Sequence, residues 1–157
     1  MRTVPSRTTR APRPGDGTGK SYAYVDRGEF ERLRAQGRFL ESAEVHGELY
    51  GTPRDEVEAL RKGGHDVLLE IDVQGARQVK AAVPEAVSIF VEPPSWEELV
   101  ARLRRRGTED EAKLQLRLET ARRELAEAPW FDERVVNDDL EEAVEAVNRI
   151  LGHEVIE

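Results

Sequence analysis

The chain has 157 residues, of which 36% are charged and 38% hydrophobic, and its net charge is -8. This length suits one ordinary domain with small appended parts. The acidic balance argues against sequence-independent binding to nucleic acid, which needs a basic face. The sequence has no cysteine, which excludes disulfides and thiolate catalysis and leads us to expect a cytoplasmic protein. No stretch approaches the ~20 apolar residues of a membrane span.

Apolar runs and helix-start signals alternate along the chain, which predicts an α/β fold. In chain order, the predicted strands cover residues 21–25, 67–73, 86–94 and 134–139. The last three are short β-branched runs of the kind that parallel sheets bury. Capping patterns predict helix starts at Asp26, Thr52, Ser95 and Thr108.

Residues 14–22 read PGDGTGKSY and contain the Gly-Lys-Ser end of a nucleotide-binding phosphate loop. The full motif is Gly-x-x-x-x-Gly-Lys-Ser/Thr, whose backbone N–H groups surround phosphates at a helix N-terminus. Its first glycine would have to be residue 14, which is Pro14, and the motif should follow a buried strand. The stretch is therefore predicted to be a glycine turn that leads into a strand, and not an ATP site.

The same residues belong to a longer pattern, which is Thr8-Thr9-Arg10-x-x-Arg13-x-x-Asp16-x-x-Gly19-x-x-Tyr22-x-Tyr24-Val25. Further segments follow in order: FLESAEVHGELYGTP (39–53), LLEIDVQGA (68–76), SIFVEPPS (88–95), RLRRRGTEDE (102–111) and VVNDDL (135–140). Together they resemble the guanylate kinases over essentially the whole chain. The resemblance implies an α/β fold with a P-loop-kinase-like parallel sheet, a small β-rich GMP-binding subdomain and a helical lid. Within a domain of residues 1–157, it implies that 4–53 bind GMP, 54–96 and 121–157 form the core, and 97–120 form the lid.

Guanine recognition requires acceptors for N1–H and the 2-amino group and a donor for O6. The resemblance implies that Glu41 and Asp72 supply carboxylates and that Ser6 and Thr52 supply hydroxyls. Glu70 shares the predicted strand 67–73 with Asp72, so both side chains should point to one face near the strand's carboxyl end. That pair would suit guanine recognition and water-mediated handling of Mg²⁺. Taken alone, Glu41 would be interpreted as a solvated charge and Thr52 as a helix cap.

The GMP phosphate requires planar cationic groups and hydroxyl donors. Arg10, Arg13, Tyr22 and Tyr50 match the positions that supply them in guanylate kinases. An arginine pair near a turn would otherwise be interpreted as a solvated basic patch.

An arginine cluster at 102–106 and Arg117 correspond to the lid of the family, whose arginines neutralise the transferred phosphoryl group. The resemblance implies that Arg10, Arg106 and Arg117 are catalytic. It also implies that Arg106, Arg117 and Asn137 contact ATP, although Asn137 could equally have a turn or cap role. We expect Arg104 and Arg105 to form a solvated helix face, and we expect no metal to be held by the chain's own residues.

The resemblance implies the reaction ATP + GMP ⇌ ADP + GDP, with dGMP as a second substrate and Mg²⁺ as cofactor. Guanylate kinases place a strand, a phosphate loop and a helix before the stretch that here begins near Val4. We therefore expect that loop upstream of Met1 and predict that the 157-residue chain binds GMP at best, with negligible turnover. The alternatives are a non-catalytic module for GMP or a phosphorylated ligand and, against the acidic charge, an arginine-rich RNA-binding module.

Overall fold

The computed structural model describes residues 1–16, 22–106 and 110–152. Its contacts divide the chain into two units, Met1–Ala86 and Val87–Glu157. Strands and helices alternate in each unit, as expected of an α/β chain. Most of the predicted glycine turn (17–21) and the predicted helix cap Thr108 lie outside the described residues.

The first unit holds a four-stranded mixed sheet and a separate parallel strand pair. Its elements are β1 (Arg2–Thr3), β2 (Ser6–Thr8), β3 (Tyr22–Tyr24), α1 (Arg27–Ala35), β4 (Phe39–Val45), β5 (Glu48–Pro53), α2 (Arg54–Lys62), β6 (Val67–Leu68) and α3 (Val73–Ala82). The sheet order is β3-β2-β5-β4, in which β2 pairs with β3 in parallel and with β5 antiparallel. The strands β1 and β6 pair in parallel.

A tight turn joins β4 to β5. His46 and Gly47 both have positive φ, 50° and 83°, which suits the primed turns of two-residue hairpins. Behind the hairpin, Phe30 of α1 is fully buried and its ring stacks on Phe39 at 4.6 Å between centroids, next to the buried Leu49. This apolar cluster fixes one face of the sheet to α1 and leaves the other face for a different role.

Two of the predicted helix starts are confirmed. The Asp26 carboxylate accepts a hydrogen bond from the Glu29 backbone N–H at 2.7 Å, and the Ser95 hydroxyl accepts one from the Glu98 N–H at 3.1 Å. The helix α5 (Glu111–Glu127) instead has Asp110 as its N-cap, and this carboxylate accepts from the Lys113 N–H. A carboxylate directly before the first helical residue thus satisfies a donor of the first turn, and the predicted cap Thr108 lies outside the described residues.

The strand predicted over 67–73 is much shorter than expected. β6 covers only Val67–Leu68, matching the two residues of β1, and α3 begins at Val73 with Asp72 as its N-cap. The prediction that Glu70 and Asp72 share the face of a strand was wrong. The Asp72 side chain bonds the backbone of the following helix, which ends any extended segment there.

The prediction that Thr52 caps a helix was also wrong. Thr52 lies within β5, and the N-cap position of α2 is occupied by Pro53, which makes no side-chain capping bond. Thr52 is 1% exposed, and its hydroxyl is engaged elsewhere.

The described residues of the second unit contain a parallel strand pair and three α-helices. Its elements are β7 (Ile89–Glu92), α4 (Trp96–Arg105), α5, a 3₁₀ turn (Ala128–Trp130), β8 (Glu133–Val136) and α6 (Leu140–Ile150). β7 and β8 run in parallel from Ile89 opposite Glu133. The Arg122 guanidinium of α5 lies 4.3 Å from the ring centre of Trp96 in α4. Within the described ranges, no helix is long and apolar enough to cross a membrane.

Candidate functional site

One face of the four-stranded sheet carries most of the candidate ligands for GMP. Ser6 is in register with Tyr22, Thr8 with Tyr50, and Glu41 with Thr52. Residues paired across strands share a face, as do residues two apart along a strand. The shared face therefore presents Ser6, Thr8, Tyr22, Tyr24, Glu41, Tyr50 and Thr52. The apolar cluster around Phe30 lies on the opposite side. The same face also carries Ala43 and Val45 of β4, so it combines polar and tyrosine side chains with two small aliphatic ones.

A buried carboxylate and its hydroxyl donor lie at one end of this face. Glu41 is 3% exposed, and its Oε1 accepts a hydrogen bond of 2.6 Å from the Thr52 hydroxyl. A carboxylate is withdrawn from water only where polar partners compensate it. Among the described residues, every buried side-chain nitrogen or oxygen has such a partner. The interpretation of Glu41 as a solvated charge is thus wrong, and the carboxylate is built into the fold.

The first turn of α3 brings a second carboxylate next to Glu41. Asp72 is half-buried, and its Oδ1 accepts from the Gly75 N–H at 2.9 Å. Gly75 in turn lies against Glu41, because a Cβ added at Gly75 would overlap with Glu41 Oε2. The structure therefore brings Glu41 of β4 and Asp72 of the α3 N-cap to the same glycine from different elements.

Glutamine side chains attach α3 to the edge of β4. Gln78 accepts from the Ser42 N–H at 3.0 Å and donates to the Ser42 carbonyl at 2.7 Å, as a neighbouring strand would. Gln74 donates to the Glu44 carbonyl and to Asp72 Oδ2. These bonds fix the helix that carries Asp72 to the strand that carries Glu41.

An arginine and two tyrosines form the other end of the site. The Arg10 guanidinium carbon lies 5.1 Å from the ring centre of Tyr22, and the Tyr22 and Tyr50 rings are 6.1 Å apart. Burial by itself lowers the pKa of Arg10, but the hydrogen bond and charge of Asp16, with smaller effects of Tyr50 and Tyr24, raise it overall. The result is a fixed cation with phenol hydroxyls beside it, which suits a phosphate.

Asp16 organises this end, although the motif analysis gave it no role. Its carboxylate accepts from the Tyr24 hydroxyl at 2.5 Å and the Arg13 N–H at 2.7 Å, and it forms an ion pair with Arg10 at 3.2 Å. These contacts, with the Tyr24 hydrogen bond the largest, lower the pKa of Asp16 to about 2. The spacing Arg10-x-x-Arg13-x-x-Asp16 was the signal available in the sequence.

Two further candidates of the first unit, Arg13 and Glu70, lie at exposed positions. Arg13 is exposed and contributes its backbone N–H to Asp16. Glu70 is exposed and lies in no strand. Their predicted contacts with GMP stay predictions.

The predicted lid and ATP residues lie in the second unit. Arg106 is the exposed C-cap of α4, Arg117 is half-buried in α5, and Asn137 follows β8. The Asn137 carbonyl accepts a hydrogen bond of 2.8 Å from Arg102. Arg104 and Arg105 are exposed and pair with Glu111 and Glu98 respectively, as a solvated helix face would.

In residues 1–16, 22–106 and 110–152, no group of three or more His, Cys, Asp or Glu side chains is placed to hold a metal. Proteins commonly hold Mg²⁺ with one or two carboxylates plus substrate phosphates and water. In such a site most of the ligands come from the nucleotide phosphates and from water.

Known proteins match this sequence and fold closely. The family model described as guanylate kinase matches residues 2–154. The guanylate kinase of Trichormus variabilis is 51% identical over 142 residues, which cover 90% of this chain and 71% of that protein. The guanylate kinase of Neisseria gonorrhoeae is 52% identical over 143 residues, with coverage of 91% and 70%.

The fold also matches that of a solved guanylate kinase structure. The crystal structure of guanylate kinase from Anaplasma phagocytophilum matches with a TM-score of 0.81 and 41% identity, over 96% of this chain and 74% of that one. The predicted α/β, P-loop-kinase-like fold is thereby confirmed, as is the resemblance seen in the sequence motifs. The chain belongs to the guanylate kinase family of enzymes.

Proposed function

We propose that this site serves the phosphorylation of GMP, and also of dGMP, to the diphosphate with ATP as donor, in a cytoplasmic enzyme of purine nucleotide metabolism. The observation that supports this most directly is the buried Glu41–Thr52 pair next to Asp72, on the same sheet face as Arg10, Tyr22 and Tyr50. One end of that face offers carboxylate acceptors for a base. The other end offers a cation and hydroxyls for a phosphate.

The acidic end favours guanine over adenine. Guanine presents two adjacent donors, N1–H and the 2-amino group, which carboxylates such as Glu41 and Asp72 accept. Adenine presents an unprotonated N1 in place of N1–H, so a carboxylate there would meet a lone pair and be left without a donor. The Ser6 hydroxyl, 7% exposed, can donate to O6 on the remaining edge of the base, while the Thr52 hydroxyl gives its proton to Glu41.

Catalysis in this proposal comes from positioning and charge neutralisation, without a covalent intermediate. Arg10, Arg13, Tyr22 and Tyr50 would hold the phosphate of GMP. The roles of Arg106 and Arg117 at the transferred phosphoryl group and of Asn137 near adenine rest on the family likeness. Mg²⁺ bound to ATP would supply further positive charge at the phosphates.

The 157-residue sequence contains no Gly-x-x-x-x-Gly-Lys-Ser/Thr motif, through which P-loop proteins hold the ATP phosphates. We therefore propose that this polypeptide alone binds GMP with negligible turnover. GMP-dependent ADP release should be at background for it and should rise when the strand, phosphate loop and first helix of a guanylate kinase relative are fused before it. Robust ADP release by the unfused chain would contradict this part of the proposal.

Replacing Glu41 with glutamine tests the assignment of the base site. The amide turns one acceptor into a donor, which would face guanine's own donors. Hydrogen bonds to charged groups contribute about 1.5–3 kcal/mol, so the Kd for GMP should rise roughly 10- to 150-fold. The measurement is calorimetric titration with GMP, with AMP as the nucleotide that should bind poorly to both proteins.

The matched control is Glu44→Gln, on the same strand, whose side chain is 59% exposed. This variant should bind GMP as the unmodified chain does. Equal GMP affinity in Glu41→Gln and Glu44→Gln would show that the base site lies elsewhere. Strong binding of a phosphopeptide without binding of GMP would support a non-catalytic module instead.

A further inference from the structure

We propose that Asp16 and Tyr24 are positioning residues that hold the Arg10 guanidinium in the orientation in which it binds the phosphate of GMP. This inference rests on the proposed function, since it assumes that GMP is the ligand of the sheet face. Neither residue needs to contact the nucleotide itself.

The Asp16 carboxylate contacts Arg10 at two points. Oδ2 lies 3.2 Å from Arg10 NH1, and Oδ1 accepts from NH2 at 3.3 Å. The Tyr22 ring, 5.1 Å from the guanidinium carbon, borders the same group. A planar cation with two edge contacts and a ring beside it has few orientations left.

Asp16 is itself fixed by groups that do not belong to Arg10. The Tyr24 hydroxyl and the Arg13 backbone N–H both donate to Oδ2, at 2.5 and 2.7 Å. Tyr24 is held through its place in β3, opposite Thr8 of β2. The sheet thus orients Tyr24, Tyr24 orients Asp16, and Asp16 orients Arg10.

The degree of burial separates Arg10 from the arginines of ordinary surface pairs. Its side chain is 10% exposed, whereas Arg34 and Arg38, which also pair with carboxylates, are 45% and 54% exposed. An arginine side chain loses rotamer entropy when it is ordered. Here the fold has already ordered it before a ligand arrives, which strengthens binding.

A carboxylate next to a phosphate site also carries an electrostatic cost, because Asp16 and the phosphate repel each other. The guanidinium has donors on several edges, so a carboxylate on one edge leaves others for a phosphate. The geometry is therefore consistent with a carboxylate that orients the cation while the phosphate binds elsewhere on it. The pKa of Tyr24 is raised, mainly by its hydrogen bond to Asp16, so its hydroxyl keeps the proton that it donates.

The test compares GMP with guanosine, which lacks the phosphate, by calorimetric titration of the full 157-residue chain. In Tyr24→Phe and Asp16→Asn, the Kd for GMP should rise about 3- to 30-fold, which is the range for one or two hydrogen bonds. The Kd for guanosine should stay within about twofold of its value in the unmodified chain. A general loss of stability would weaken the binding of GMP and of guanosine alike. The ratio of the two Kd values therefore reports the positioning of Arg10 separately from stability.

The matched control is Asp55→Asn, which removes another carboxylate–arginine pair, with Arg38 at 2.8 Å. This variant should leave both Kd values unchanged. If Asp16→Asn does not fold, the test rests on Tyr24→Phe, because this variant keeps the aromatic ring and removes only the hydroxyl that donates to Asp16. An unchanged ratio of the Kd values for GMP and guanosine in Tyr24→Phe and in any folded Asp16→Asn would overturn this inference but not the proposed function. Failure of the unmodified chain to bind either ligand would overturn the proposed function, and the inference with it.

Discussion

Because Gly75 contacts Glu41, adding a single methyl group at Gly75 tests the proposed base site. An ideal Cβ at Gly75 would overlap with Glu41 Oε2 and would lie 3.0 Å from the Glu41 carboxyl carbon and 3.3 Å from the Ile71 Cβ. The overlapping atom is the far end of a flexible side chain, so the carboxylate can move while the backbone stays in place. In Gly75→Ala we therefore expect Glu41 to be displaced in a chain that still folds.

The expected change in stability is small because two effects oppose each other. Alanine favours a helix over glycine by about 0.8–1.0 kcal/mol, and Gly75 lies in α3. Displacing Glu41 removes the buried hydrogen bond from Thr52, at a cost of about 1–3 kcal/mol. The free energy of unfolding should thus fall by no more than about 2 kcal/mol.

The expected change in GMP binding is larger. A displaced Glu41 no longer accepts from guanine, and the loss of one charged hydrogen bond corresponds to roughly a 10- to 150-fold rise in Kd. Calorimetric titration with GMP measures this, and urea unfolding measures the stability. Gly63→Ala is the control, because Gly63 has φ -77° and a Cβ there meets only ordinary contacts. An unchanged GMP affinity in a folded Gly75→Ala protein would refute the idea that Glu41 reads the base.

Two further predictions concern charge at the phosphate end. Asp16 has a pKa of about 2 in the folded chain against an ordinary 3.8, so it stabilises the fold above pH 3.8 and loses that effect as the pH falls towards 2. The difference in urea-unfolding free energy between the unmodified chain and Asp16→Asn should shrink over that window, and a constant difference would contradict the assignment. Raising the salt from about 0.01 M to 1 M shortens the screening length from about 30 Å to 3 Å. The GMP-to-guanosine preference should therefore decline with salt, and an unchanged preference would argue against a cationic phosphate site.

The shared sheet face could be anticipated from the sequence only in part. The motif positions of Glu41 and Thr52 fall in segments that read as extended, and alternation along strands then puts residues two apart on one face. What the sequence did not reveal is that Thr52 donates to Glu41 across β4 and β5. A threonine before a proline has a strong local helix-start pattern, and a contact eleven residues away in the chain prevailed over it.

The length of β6 depended on information outside its own residues. The run VLLEIDV is apolar enough for a full strand, but a strand extends only as far as its partner offers hydrogen bonds. Here the partner β1 is Arg2–Thr3. The chain then leaves the ladder, and Asp72 caps α3 through Gly75. The predicted pairing of Glu70 with Asp72 failed for this reason, whereas the proximity of Asp72 to Glu41 arises from α3.

The two ends of the candidate site are stabilised in different ways. This difference explains which of their residues can be identified from sequence motifs. The base end relies on burial: Glu41 is 3% exposed and needs a donor in Thr52 and space at Gly75. The phosphate end relies on charge held near the surface: Arg10 is ordered by Asp16, which remains partly accessible to water. In both cases the residue that we propose to bind GMP is accompanied by one that only makes the geometry possible, a glycine at one end and a carboxylate at the other. Motif spacing identifies the first kind of residue by its chemistry, but the second kind has a role only once the strands and the helix have brought it to its partner.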